Sequence, residues 1–421
     1  MKKRMWCLLI CILLFLGGCL EVEPFLQPPR PQGQQQAVQE ALSAALSAEA
    51  GDSYILKYPA GGNFSAFLML DENGNTVSPD QAVKAVAFYA AAAGERTHIR
   101  LLQREADGWR SVTAVRGEAA DLHKVSVADL DGDGKKELLV GWNLYSNSYQ
   151  LSIYQPCNRL EKTADAGRYT AYFVGDMNAD GNEEFLLLHI GNTVTASLRR
   201  WNAKGVTVMG DANLPGDIRS FEKLLYGKLS NGEDGLYVDA LLSNGNYTTE
   251  LLYWDGSRLV APLHTAGTAH IADRTPYVAV TDVDGNAVPE IPVTAAPKGD
   301  ARGQVLADWY SWDVTARAAV RQFSGVVNTV DGYCIEVEDA WLSSLSVRYD
   351  EETRTLWLQT VDADGETTPF LIIQNTADGK QKVEGYAFES LPGNLSLEIW
   401  YETDAPYRLT MEKISYMLVA L

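Results

Sequence analysis

The chain has 421 residues and a formal net charge of −20, from 55 acidic against 35 basic side chains. Acidity on this scale excludes nucleic acid and an anionic lipid surface as primary partners, because both would repel it. The five histidines (His98, His123, His189, His264 and His270) are scattered, and no nucleophile-elbow, zinc-protease, Walker or dinucleotide motif occurs.

The chain opens with the charged run Met1-Lys2-Lys3-Arg4 and continues apolar from Met5 to Leu16. That run is too short for a permanent membrane span and has the layout of a signal peptide, residues 1–18. It closes on Leu16-Gly17-Gly18-Cys19, which resembles a bacterial lipobox. The resemblance implies cleavage before Cys19 and lipid on its sulfur and new amino group. Two or three acyl chains suffice for stable anchoring, which places the mature protein on the extracytoplasmic face of the cell membrane. Cys7 and Cys11 leave with the signal, so Cys157 and Cys334 remain as free, buried thiols without a disulfide framework. Residues 19–52 form a tether. Pro24, Pro28, Pro29, Pro31 and a glutamine cluster extend it, and Val38, Leu42, Ala45 and Leu46 predict an amphipathic helix over 37–48.

Three acidic loops follow, each before an apolar run. The first offers Asp129, Asp131, Asp133, Lys135 and Glu137; the second Asp176, Asn178, Asp180, Asn182 and Glu184; the third Asp282, Asp284, Asn286 and Glu290. Oxygens at positions 1, 3 and 5, a backbone carbonyl at 7 and a carboxylate at 9 can enclose a hard cation, and glycine near position 6 permits the sharp turn. The acid stands at 9 and a strand-like run follows. An EF-hand instead needs a bidentate Glu at 12 between helices. Calcium in a structural role is therefore expected at a β-turn. A degenerate copy runs from Lys228 to Gly235, and an earlier one spans Asp71-Glu72-Asn73-Gly74-Asn75.

A second marker keeps step with the loops. Tyr154, Trp201, Trp254 and Trp312 each end an alternating run 25 to 30 residues after their loop starts. Each unit of about 50 residues thus reads strand, acidic loop, strand, strand, turn, strand, as in one propeller blade. The expected fold is mainly β: a propeller over 53–324 with five countable blades, or six or seven if decayed blades lie at the ends. A small C-terminal α+β module over 325–421 completes it. The pattern Asp-x-Asp-x-Asp-Gly-x-x-Glu before an apolar strand resembles FG-GAP/VCBS-type repeats, as in integrin-like propellers. The Asp129 loop matches fully, while the Asp176 loop carries Asn178 and Ala179 and the Asp282 loop carries Ala287 and Pro289. The resemblance implies a calcium-stabilised propeller and no particular activity.

In the C-terminal module, strands are expected over 332–338, 344–348, 355–360 and 370–373, then a helix over 410–421 capped by Thr410. The order of elements resembles the C-terminal part of uncharacterised Firmicutes lipoproteins. The functional expectation is a membrane-anchored extracellular lipoprotein that binds a protein or glycan without turnover. Two alternatives stand beside it: a secreted propeller hydrolase or lyase acting on polysaccharide, and a sensor or assembly component of an envelope complex. Trp309-Tyr310-Ser311-Trp312 reads first as strand packing and second as a sugar-stacking platform.

Overall fold

A computed structural model describes residues 32–49, 53–60, 65–145, 148–156, 159–202, 204–265, 272–377, 383–393, 396–404 and 406–421. The signal segment, Cys19, the proline-rich part of the tether and Cys157 lie outside the described residues. The chain divides into two compact units, one of residues 1–129 and 133–167, the other of 168–421 with the loop tip 130–132.

The first unit begins with helix α1 (Gln34–Glu49), which starts three residues before the expected position. Val38, Leu42 and Leu46, four apart, make one stripe that packs on Phe67, Met69, Ala85 and Ala87. Those residues belong to a sheet of β1 (Ile55–Leu56), β2 (Phe67–Leu70), β3 (Lys84–Ala90), β4 (His98–Glu105) and β5 (Gly108–Arg116). The order is β1-β3-β4-β5, with β2 also on β3. A second sheet takes β6 (Asp121–Ala128), β7 (Glu137–Tyr145), β8 (Ser148–Pro156) and β9 (Leu160–Tyr169) in sequence order. Here the unit read from the sequence is present strand for strand, with the first acidic loop joining β6 to β7. His123 is half-buried and stacked on Tyr149, with ring centroids 3.6 Å apart.

The second unit repeats the plan. One sheet orders β10 (Ala171–Gly175), β11 (Glu184–Ile190), β12 (Val194–Asn202) and β13 (Gly205–Leu214). The next orders β14 (Ile218–Lys228), β15 (Asp234–Leu242), β16 (Tyr247–Trp254) and β17 (Leu259–Val260), followed by the short helix α2 (Pro262–Thr265). In the third, the strand before the loop shrinks to a single bridge, Thr281 to Glu290. Then come β18 (Ile291–Ala295), β19 (Val305–Asp313), β20 (Ala318–Asn328) and β21 (Tyr333–Val337). Strand β21 lies past position 324, where the repeats were read as ending. After α3 (Asp339–Leu342), a further antiparallel sheet is built from β22 (Leu345–Asp350), β23 (Thr355–Val361), β24 (Thr367–Asn375), β25 (Glu389–Ser390) and β26 (Leu397–Tyr401).

The C-terminal helix is shorter than expected. Thr410 caps it, its side chain accepting from the Lys413 backbone N–H, but α4 covers only Met411–Met417. The next residues form β27 (Leu418–Ala420), paired with β21. An apolar stripe suits a helix face and an edge strand alike. Here the open edge of β21 supplies ladder partners, and Val419 packs beside Val327 and Cys334. Cys334 is a buried free thiol, pushed up to about 12 by burial.

The aromatic markers fall at the ends of the third strands β8, β12, β16 and β19, where Tyr154, Trp201 and Trp312 are buried. Trp309 and Trp312 occupy opposite faces of β19 and are buried in separate clusters, so strand packing accounts for both. Four of the six antiparallel sheets of the described residues run four strands in sequence order, β6 to β9, β10 to β13, β14 to β17 and β18 to β21, as a propeller blade does. Together the sheets define a mainly β protein of the β-propeller class with a small C-terminal helix and strand module.

Candidate metal centres

Each acidic loop is a hairpin connection closed by the same pair. Ala128 lies opposite Glu137, Gly175 opposite Glu184, and Thr281 opposite Glu290. The acid at position 9 is thus the first residue of the returning strand, and all three glutamates are buried. Within the loops the backbone folds onto the side chains in one pattern. The N–H of position 6 (Gly134, Gly181, Ala287) donates to the carboxylate of position 1 (Asp129, Asp176, Asp282) at 2.9–3.0 Å. The N–H of position 7 donates to the side-chain oxygen of position 5, Asp133, Asp180 or Asn286, at 2.6–3.0 Å.

This pattern requires left-handed backbone at positions 4 and 6. Gly132, Gly134, Gly181 and Gly285 supply it without steric cost, whereas Ala179 (φ 58°) and Ala287 (φ 71°) adopt it despite a Cβ. Ala287 therefore does not dissolve the third loop. Nor does Pro289, since the Val283, Gly285, Asn286 and Ala287 N–H groups still bond Glu290 and Asp282.

What differs is whether the carboxylates converge. The oxygens of Asp129, Asp131 and Glu137 lie within 4.8 Å of one another, and so do those of Asp282, Asp284 and Glu290. In the third loop, Glu290 Oε2 accepts from the Val283 N–H at 2.9 Å, but Glu290 Oε1 is buried and has no hydrogen-bond partner. Burial, with the charges of Asp284 and Asp282 alongside, pushes Glu290 up to about 7. A buried acceptor left unanswered beside two further carboxylates fits a hard divalent ion, whose ligands are oxygens. Asp282, Asp284, Asn286 and Glu290 would hold calcium there, and Asp129, Asp131, Asp133 and Glu137, with the Lys135 carbonyl, would hold it in the first loop. Bound calcium supplies two positive charges that cancel the repulsion within each set.

The second loop departs from the expectation. Asp176, Asn178, Asp180, Asn182 and Glu184 fold as their counterparts do, yet a guanidinium stands among them. Arg200 Nη2 donates to Glu184 Oε1 at 2.9 Å and also to Asp180 Oδ2. Arg200 lies on β12, one residue before the marker Trp201, and the equivalent residues Ile153, Tyr253 and Ser311 carry no charge. Burial still holds Glu184 above the ordinary carboxylate range, because a guanidinium that is one-third exposed only partly offsets the loss of water around a side chain with no exposure. The degenerate fourth copy shows a related substitution, with Lys228 Nζ 2.7 Å from Asp234 Oδ1.

A separate acidic centre in the second unit is answered completely. Asp239 and Arg274 are both buried, with Arg274 Nη2 2.6 Å from Asp239 Oδ1. Asp239 also accepts from Thr249 Oγ1 (2.6 Å), Tyr277 Oη (3.0 Å) and the Val280 N–H (2.9 Å). These bonds fasten the irregular segment 272–280 to β15 and β16.

No protein family and no curated protein matches the chain. Among solved structures, it resembles Sqt1 of Saccharomyces cerevisiae at 11% identity and a TM-score of 0.32, covering 76% of this chain and 81% of that one. It resembles a periplasmic gluconolactonase of Pseudomonas aeruginosa at 10% identity and 0.32, covering 75% and 94%. It also resembles the exotype rhamnogalacturonan lyase YesX at 12% identity and 0.32, covering 86% and 92%. Likeness at this level carries nothing about activity.

Proposed function

We propose that the protein is a lipid-anchored, extracytoplasmic binding protein of the FG-GAP/VCBS type. It is held at the cell membrane through Cys19 and braced by calcium in the Asp129 and Asp282 loops, and it takes a protein or glycan ligand without turnover. The observation that carries the calcium reading is the unanswered, buried oxygen of Glu290 beside Asp282 and Asp284. The binding reading draws on a cavity of about 470 Å³ in the second unit, lined by Tyr253, Trp312, Asn231, Glu233, Asp255 and Arg258. The cavity offers an aromatic wall and a polar rim. The polysaccharide hydrolase or lyase reading would need free carboxylates in that cavity. Both acids there are engaged in their own turns: Glu233 accepts from Asn231 at 2.8 Å, and Asp255 from Ser257 Oγ at 2.8 Å.

Thermal melting of the soluble body, begun after the tether, tests the calcium part. Extracellular calcium modules bind at about 10⁻⁴–10⁻³ M, and a site held at 100 times its dissociation constant gains about 2.7 kcal/mol. Calcium should raise the midpoint by several degrees over chelator, and Asp131→Ala and Asp282→Ala should each remove part of the gain. A midpoint indifferent to calcium would leave the loops as turns only. A screen against cell-wall and plant polysaccharides, recording retention and products together, tests the binding part. Turnover lost on mutating Glu233 would assign the hydrolase function instead.

A further inference from the structure

A second cavity of about 260 Å³ lies within the second unit, away from the acidic loops. Asp217, Thr248, Glu250, Leu263, His264 and Asp273 line it, and its remaining described lining includes no lysine or arginine. Thr248 and Glu250 stand two apart on β16 and share a face. Thr249 between them turns the other way, to Asp239. Glu250 is only 3% exposed, and its Oε2 is buried with no hydrogen-bond partner. The contrast lies one strand away. Asp239 on β15, equally buried, is met by an arginine, two hydroxyls and a backbone N–H. Two buried acids in one sheet are thus treated oppositely, and Glu250 lines a cavity.

The missing partner must donate hydrogen bonds and carry positive charge, because Glu250 is itself an acid and Asp217, with the already partnered Asp273, borders the same space. A bare divalent ion does not fit the spacing. Among the described residues only the two loop clusters bring three acidic groups within 4.8 Å, and this trio is not one of them. The charge must therefore belong to a body with some extent. A protonated amine brings three N–H donors on one nitrogen. Leu263 with Leu242 and Pro215 offers an apolar wall for a carbon skeleton. At about 30 Å³ per water, the space equals roughly nine waters, which suits a small metabolite and not a polymer.

We propose that this cavity binds a small organic amine, its ammonium group seated on Glu250 with Asp217 as the second acid of the site. The site is independent of the calcium loops and of the larger cavity. Burial first, then the charges of Asp273 and Asp217, push Glu250 up to about 8 before any ligand arrives. Below that pH the carboxyl holds a proton, which an arriving ammonium displaces to the buffer. His264, at the mouth, is the other titratable group facing the site.

Calorimetric titration of the soluble body at pH 7 tests this, using cyclohexylamine and 1,4-diaminobutane as probes in two buffers of different ionisation enthalpy. Cyclohexanol serves as the neutral shape control and calcium chloride as the ion control. The expected result is saturable binding of an amine with release of close to one proton per site and no binding of cyclohexanol. Glu250→Gln should weaken amine binding at least tenfold while melting no lower than wild type, since it removes an unanswered buried acid without changing shape. Asp217→Asn should weaken it by a smaller factor, and Asp282→Ala should leave it unchanged. Binding of cyclohexanol as tight as cyclohexylamine, amine binding unaltered by Glu250→Gln, or no amine binding would overturn the proposal. So would hydrolysis of neutral aryl glycosides that disappears in Glu250→Gln, which would make the carboxyl a general acid.

Discussion

Replacing Arg200 by methionine separates an internal cation from a bound one. In the wild type its guanidinium bonds Glu184 and Asp180 in the second loop. In Arg200→Met, Glu184 keeps only the Met177 N–H, at 3.1 Å, and its side chain has no exposure to water. A hydrogen bond between charged groups contributes about 1.5–3 kcal/mol. Arg200 is one-third exposed, so screening lowers the loss to roughly 1–2 kcal/mol. For a domain of this size that is a fall in Tm of roughly 2–8 °C, measured in chelator. Calcium should then act on the variant more than on the wild type. Without the guanidinium, Asp176, Asn178, Asp180 and Glu184 present the oxygens of positions 1, 3, 5 and 9 to solution, and filling them at 100 times the dissociation constant would add about 2.7 kcal/mol. Calcium-binding stoichiometry should rise by one equivalent over the wild type, and the deficit in Tm should close. An unchanged stoichiometry with a deficit that calcium does not close would refute the idea that Arg200 stands where an ion otherwise would.

Asp239→Asn should cost roughly 3–5 kcal/mol in urea unfolding, because Arg274 would remain buried without a countercharge; a loss under 1 kcal/mol would mean that the segment 272–280 relaxes to hydrate it. Glu250 holds its proton from its ordinary 4.5 up to about 8 in the folded state. Its contribution to stability is therefore complete below pH 4.5 and is lost as pH rises to 8, at about 1.4 kcal/mol per pH unit and at most roughly 5 kcal/mol in all. Glu250→Gln should accordingly gain on the wild type between pH 5 and 8 in urea midpoints, and parallel profiles would contradict the assignment. Cells fed a labelled fatty acid should label the wild type and not Cys19→Ala, and equal labelling would remove the lipid anchor.

The repeat was legible in the sequence because its signals are local. Asp and Asn side chains bond the backbone of their own turn, glycine supplies left-handed residues at fixed offsets, and an alternating strand ends on an aromatic. Those rules gave the order of strands around the first acidic loop that β6 to β9 follow. The role of Arg200 was not legible, because it depends on the register that brings the end of β12 beside a loop one strand away. Its only sequence signal was a basic residue just before Trp201, where the other repeats have Ile153, Tyr253 and Ser311. Glu250 likewise stood in plain view as a charge ahead of Leu251 and Leu252. Only the cavity shows that it is unanswered while Asp239 is satisfied. The strand β27 was missed for a different reason: its stripe is compatible with a helix, and the choice was made by an open sheet edge some eighty residues earlier.

That late strand bears on the order in which the chain can assemble. A polypeptide that emerges N-terminus first completes β18 to β21 while residues 418–420 are still to come, and in that interval the outer edge of β21 offers bare N–H and C=O groups to any neighbouring strand. The interval spans the synthesis of a whole intervening sheet, β22 to β26, whose own collapse shortens the distance that the last strand must travel. Assembly would thus find a vulnerable moment before residues 418–420 become available, while that one seam is still open.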